Sequence, residues 1–375
     1  MIPKKPALEA LTSLRFFAAL AIVVHHCNGV FWPTADLGPL DAGVSFFFVL
    51  SGFILAYVYH DPSAERFAWR RFYVARLARI WPLHLVCLLL MIAFVKVPEP
   101  FDAGVLLANG LMLHAWIPFD RVFFSYNYAS WSISTELFFY LLFPFVLRCG
   151  QWMRIALLVF FLAIVLALAI YVAAEQLPVW DTTGNELSST GLLYSHPLAR
   201  CAEFLIGVIG GTYFMRRSRF GAPWRWTMIE CVVCAAVMLG FVFFWRGGHV
   251  LSGSLLHLDS QTLALLNEWI SHVGLAPFAA LLIFIFAHQR GYVSRGLSQR
   301  WFVFLGEMSF ALYLVHQLSL RWLQQLATHL NLLSFGGYMF GIIGLASALH
   351  VVVEKPARQW LTRRFSMRAE QPATN

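Results

Sequence analysis

Apolar segments of about twenty residues alternate along this chain with short clusters of Lys and Arg, and that alternation leaves one kind of fold open. A helix of about twenty residues spans a bilayer core. Inside hydrocarbon every backbone N–H and C=O needs an internal partner, which a helix supplies. Ten such segments can be placed, at 11–30, 43–60, 76–95, 131–147, 155–174, 196–214, 226–245, 271–288, 301–321 and 334–353. The predicted fold is all-α: a polytopic membrane protein of about ten transmembrane helices. Hydrophobic residues make up 59% of the chain and charged ones 12%, with a mean hydropathy of +0.68. Soluble domains average roughly 45–50% apolar and 25% charged.

The net charge of +8 would suit a nucleic-acid partner, but its placement argues against one. Twenty-one of the 27 Lys and Arg fall in six clusters. These are Lys4/Lys5, Arg66 to Arg79, Arg148/Arg154, Arg216 to Arg225, Arg290 to Arg300, and Lys355 to Arg368. All six fall on one side when both termini are cytoplasmic, which is the positive-inside pattern. The opposite loops carry acid instead, including Asp36, Asp41, Glu99, Asp102, Asp120, Asp181, Glu186, Asp259 and Glu268. Segment 103–116 is short and broken at Asn109–Gly110, so it is predicted to be re-entrant or interfacial. An eleventh crossing there would move every later basic cluster outside. Residues 181–191 form the most loop-like stretch.

The N-terminus has a basic start and an apolar core but no small-residue cleavage site, so the first helix is expected to be retained. The six cysteines lie in or at the ends of spans and read as small apolar residues. No P-loop, dinucleotide-binding glycine pattern, HExxH or internal repeat is present. Adjacent residues of a helix diverge by about 100°, so His25, His26 and Cys27 do not converge on one metal ion, and no metal site is expected.

Ionisable groups inside spans are costly and mark functional candidates. Arg15 and His26 lie eleven positions apart, close to three helical turns. They share a face, offset by roughly 20° and separated by roughly 16 Å, while His25 points 80–100° away. Arg70, Arg71, Arg76 and Arg79 are denser than membrane orientation requires. Such a cluster suits phosphate through bidentate charge-assisted hydrogen bonds, or anionic lipid headgroups. Glu136 in the span opening at Trp131 is expected at the depth of His26, where a carboxylate would orient the imidazole. Arg200 and Glu203 at i, i+3 can neutralise each other. His316 lies near the outer end of its span, and His84 and His350 read as packed core histidines.

Six segments, in order, resemble acyltransferase family 3, polytopic membrane acyltransferases that modify bacterial surface sugars. They are LTSLRFFAALAIVVHH (11–26), FFFVLSGFILAY (46–57), RRFYVARLARIWP (70–82), WSISTELFFYLLFP (131–144), GEMSFALYLVH (306–316) and VEKP (353–356). The family's Arg-x10-His spacing selects His26, as helical phase does independently. PLARCAEFLIG (197–207) resembles a segment of the exopolysaccharide-modifying branch.

The resemblance implies transfer of an acyl group, acetyl by family habit, from cytoplasmic acyl-CoA to a sugar hydroxyl on the outer side. The protein would be a multi-pass component of the bacterial inner membrane, with no permanently bound cofactor. Residues 1–356 would form one transmembrane acyltransferase domain and 357–375 a short cytoplasmic tail. No extracytoplasmic esterase-like domain follows, so the acceptor is expected to be a lipid-linked or nascent polysaccharide. His26 would act as general base or acyl carrier, oriented by Glu136. Arg15 and the arginines at 70–79 would meet CoA. Ser51, Trp131, Ser132 and His316 complete the candidate substrate contacts. Intramembrane Arg, His and Glu also suit a secondary transporter, although matched broken helices are missing. A non-catalytic scaffold would leave His26 dispensable.

Overall fold

The computed structural model describes residues 5–60, 67–95, 102–181, 183–215, 222–243, 274–327 and 330–366. Lys4, Arg66, Glu99, Arg216, Arg217, Arg219, Asp259, Glu268 and residues 367–375 of the predicted tail, Arg368 among them, lie outside these residues.

The structure is all-α, and among the described residues the sole β pairing is an isolated bridge between Phe119 and Leu187. Among the described residues the α-helices of six or more residues are α1 (Glu9–Cys27), α2 (Gly43–Tyr59), α3 (Trp69–Phe94), α4 (Ala103–Gly110), α5 (Trp131–Arg148), α6 (Gln151–Ala174), α7 (Cys201–Phe214), α8 (Pro223–Val242), α9 (Ala276–Phe286), α10 (Tyr292–Leu297), α11 (Arg300–Leu326), α12 (Leu332–Leu349) and α13 (Lys355–Ser366). Among the described residues eight helical stretches are long and apolar enough to cross a membrane, and α7 and α9 are shorter apolar helices. α4 has eight residues and is followed by a turn and a single 3₁₀ turn at His114–Trp116. At roughly 12 Å it is too short to cross.

α3 begins at Trp69, seven residues before the expected start of its span, so Arg70 to Arg79 all lie on one continuous helix. At the other end of the chain, residues expected to form the tail continue as α13, which packs along α3.

Two long parallel helices, α1 and α11, form the centre. Near their starts, Ser13 Oγ donates to the Leu297 carbonyl at 2.6 Å, and toward their ends His26 meets His316. α2 crosses α7 so closely that glycine is required on both sides. A Cβ on Gly52 would collide with the Phe204 carbonyl oxygen, and one on Gly207 with that of Val49. Small residues let membrane helices approach through backbone contact. Gly207→Ala is therefore expected to destabilise the bundle by about 1–3 kcal/mol, read as a lower melting temperature in nanodiscs. An unchanged melting temperature would rule out this crossing.

Lys5 and Arg148 mark one end of the bundle, Asp41 and Asp102 the other. Lys5 Nζ donates to the carbonyls of Tyr57 and His60, and Arg148 lies over Trp69 at 4.7 Å. At the other end, His25 faces Asp41 at 4.0 Å, and Arg121 faces Asp102 at 3.9 Å.

Candidate active site

His26 sits in the last turn of α1 with its ring fixed by main chain. Its Nδ1 lies 2.8 Å from the Ile22 carbonyl oxygen. A carbonyl only accepts, so Nδ1 carries a hydrogen, and in the neutral ring Nε2 keeps its lone pair. Behind it stands His316, buried on α11. His316 Nδ1 lies 2.6 Å from the Tyr313 carbonyl, so its own Nε2 is an acceptor, 3.4 Å from His26 Nδ1. The ring centroids are 5.1 Å apart. Tyr338 in turn donates to the His316 carbonyl at 2.8 Å. His316 therefore occupies the place beside His26 that the sequence suggested for Glu136.

Glu136 is engaged elsewhere. Its Oε1 accepts from Tyr140 Oη at 2.6 Å and from Ser51 Oγ at 3.2 Å. It lines a chamber of about 160 Å³ together with Arg15, Arg76 and Arg79. Arg15 and Arg79 both lie within its Coulombic reach, as they do within that of Glu354. The physical reason is charge: a carboxylate beside several guanidiniums is better compensated than one beside a neutral imidazole. Arg76 lies 5.7 and 5.9 Å from the rings of Tyr59 and Tyr140. Its Nε is buried without a hydrogen-bond partner among the described residues. An unmet buried donor costs about 1–3 kcal/mol, and a ligand that accepts from it removes that cost. Arg70 and Arg71 are exposed, about one and a half turns before this chamber along α3.

His26 lines a second, wider chamber of about 1120 Å³. His25 shares it, so helical divergence does not take His25 out of the site. Trp131, Tyr128, Trp180, Tyr194 and Arg321 are also in its wall. Phe124 stacks on Trp180 with centroids 5.5 Å apart, and Arg321 lies over Tyr128 at 4.2 Å. The loop after α6 closes one side. Ser188 donates to Asp120 at 2.5 Å, and the amide of Arg121 bonds the Gly184 carbonyl. Burial raises the Asp120 carboxyl above its usual range. Asp181 is held below that range, foremost by the Glu186 amide. The sequence marked 181–191 as loop; these anchors tie it to 119–121.

The two chambers are separate cavities that share part of one wall. Val44 and Tyr313 line both. Ser51 and Ser132 line the narrow chamber and Trp131 the wide one, while His316 stands behind His26 and in neither lining. Tyr313, Asp41, Tyr194 and Arg321 are site residues that the sequence reading missed. Tyr313 was within reach, since it lies one turn before His316 in the same quoted segment.

Arg200 and Glu203 form the expected pair, with Nε and Oε2 2.7 Å apart and both side chains 0% exposed. Arg200 also bonds Ser45 Oγ at 3.1 Å and faces the rings of Phe48, Trp131 and Tyr194. Glu203→Gln is expected to cost about 3–5 kcal/mol, because it leaves a buried guanidinium uncompensated. Thermal unfolding in nanodiscs measures this, and a loss under about 1 kcal/mol, that of a surface pair, would contradict it. His84 is packed as read, bonding the Asn109 carbonyl at 2.9 Å. His350 is likewise buried, and it is also paired. A π-helical turn at His350–Glu354 brings its Nδ1 to 2.8 Å from Glu354.

The fold and this site define a polytopic membrane protein with a half-buried histidine and a half-buried cluster of arginines, a construction suited to group transfer. The chain belongs to acyltransferase family 3: the family's acyltransferase domain matches residues 8–351. It is 30% identical to the acyltransferase MdmB of Streptomyces mycarofaciens, an alignment that covers 100% of this chain and 98% of the relative. No solved structure matches the chain. The protein is thus a membrane acyltransferase.

Proposed function

We propose that the protein transfers an acyl group, acetyl by preference, from cytoplasmic acyl-CoA to a hydroxyl of a surface or exopolysaccharide sugar. In this reading it resides in the bacterial inner membrane with both termini inside. Its narrow chamber then opens toward the cytoplasm and its wide chamber away from it. One observation carries the reading: an imidazole lines one chamber and three arginines line the other, with Val44 and Tyr313 common to both walls.

Donor phosphates would meet Arg70 and Arg71 first and then Arg79 and Arg76, and the unmet Nε donor of Arg76 supports an anionic ligand. Arg15 lies roughly 16 Å from His26 along α1, the scale of an extended pantetheine arm. His26 Nε2 would take the proton of the acceptor hydroxyl as its oxygen attacks the thioester carbonyl. The C–S bond then breaks, and His26 returns the proton to the departing thiolate. His316 Nε2 and the Ile22 carbonyl, both facing Nδ1–H, would stabilise the imidazolium in between. This direct route needs no covalent intermediate, so we favour His26 as general base over acyl carrier. Glu136 shares the narrow chamber with the arginines rather than meeting the histidine, with Ser51 and Tyr140 fixing it. A chamber of about 1120 Å³ exceeds what one sugar ring fills, and Trp180 and Tyr128, 50% and 41% exposed, offer apolar surface to more than one ring. That supports a lipid-linked oligosaccharide or growing polysaccharide as acceptor.

The test uses the purified chain in nanodiscs with radiolabelled acetyl-CoA and lipid-linked and polysaccharide fractions of its host. Label in a base-labile ester on carbohydrate is the expected result. Uptake of an unmodified solute into vesicles without use of CoA would favour the transporter reading instead.

A further inference from the structure

Resting on the acyl-CoA reading above, we propose that Tyr313 is a latched gate between the donor and acceptor chambers, and that its closure restrains hydrolysis of bound acyl-CoA. For transfer, the thioester must pass from the chamber of Arg15 to that of His26. The side chains that stand in both walls are Val44 and Tyr313. Val44 belongs to the first turn of α2 and is 3% exposed. Tyr313 has its ring 6.1 Å from that of Phe47 and 5.8 Å from that of His316.

The tyrosine hydroxyl is held by a triangle of oxygens at the start of α5. Tyr313 Oη lies 3.0 Å from the Ala129 carbonyl and 2.8 Å from Ser132 Oγ, and Ser132 Oγ lies 3.0 Å from the same carbonyl. Two hydroxyl hydrogens serve three edges, so one edge always lacks a hydrogen. When the tyrosine leaves, Ser132 still donates to Ala129, and no buried carbonyl is orphaned. The latch is therefore cheap to open, and the moving part is one aromatic side chain. Ala129 lines the wide chamber and Ser132 the narrow one, so the latch joins the two walls it closes.

Closure matters because the wide chamber admits water. Water that reaches the thioester adds its oxygen to the carbonyl carbon as the C–S bond breaks. The products are a carboxylic acid and the free CoA thiol, with one water proton passing to sulfur. A closed Tyr313 keeps the reacting carbon on the dry side until the gate opens.

The experiment measures acceptor-independent release of CoA thiol from acetyl-CoA by the full chain in nanodiscs, with acetyl-CoA binding followed in parallel. Tyr313→Phe keeps the ring and removes the latch. It is expected to raise hydrolysis per folded molecule roughly 2- to 10-fold, the factor that one hydrogen bond represents. Val44→Phe narrows the passage and is expected to lower hydrolysis below the wild-type rate. Movement of the two rates in opposite directions is the signature, since structural damage alone would lower both. Hydrolysis by Tyr313→Phe at or below the wild-type level, in folded protein that binds acetyl-CoA, would overturn the gate. A wild-type protein that did not bind acetyl-CoA would instead bring down the acyl-CoA reading, and the gate with it.

Discussion

Replacing His26 with alanine is expected to lower acyl transfer by about 10²- to 10⁴-fold, the range lost with a general base. The expectation follows from the tautomer. Donation from Nδ1 to the Ile22 carbonyl commits the hydrogen to that side and leaves Nε2 basic. His25→Ala serves as the control, since its ring faces Asp41 at 4.0 Å and is 38% exposed. Its loss is expected to change the rate by less than about tenfold, as for a lost contact rather than a lost base. His316→Gln should fall between the two, lowering the maximal rate while leaving the apparent affinity for acetyl-CoA unchanged, because the residue touches His26 rather than either chamber. Steady-state kinetics with acetyl-CoA separates these outcomes. Equal losses from His25 and His26 would remove the distinction.

The second large effect concerns the donor. Arg15→Ala and Arg79→Ala are each expected to weaken acetyl-CoA binding by about 10- to 150-fold, the worth of a charge-assisted hydrogen bond of about 1.5–3 kcal/mol. Arg79→Lys should recover little, because an ammonium lacks the planar fork that grips phosphate at two points. Arg70→Ala and Arg71→Ala remove exposed charge, so their effect should be smaller and should fade as salt rises. Binding of acetyl-CoA by isothermal calorimetry at low and high salt measures both sets. Equal, salt-sensitive losses at all four positions would mean that the donor touches only the membrane surface.

Most of the bundle could be read from the chain because one physical rule, the satisfaction of backbone groups in lipid, fixes each apolar segment as a helix. The ten predicted segments correspond to eight long helical stretches and the shorter α7 and α9. The start of α3 was misplaced because the arginines from 70 to 79 lower its hydropathy, although nothing in them breaks a helix. Helical phase placed Arg15 and His26 on one helix at the intended separation, since both belong to one rigid segment. The partners of these residues were not legible, because they depend on how separate helices rotate against each other. Depth alone put Glu136 level with His26. The charge of Arg15, Arg76 and Arg79 and the bonds of Ser51 and Tyr140 place it in the other chamber. Tyr313 was missed for a related reason: a tyrosine inside an apolar run reads as core until the cavities on its two sides are seen.

The most direct test compares O-acylation of cell-surface polysaccharide by NMR in a deletion strain. The strain would carry the wild-type chain, His26→Ala or His25→Ala, each at equal membrane level. The expected result is full acyl signal with the wild type, a nearly complete signal with His25→Ala and none with His26→Ala. Full acylation with His26→Ala would contradict a transfer centred on that imidazole. An acyl signal that stayed the same with and without the wild-type chain would contradict polysaccharide as the acceptor.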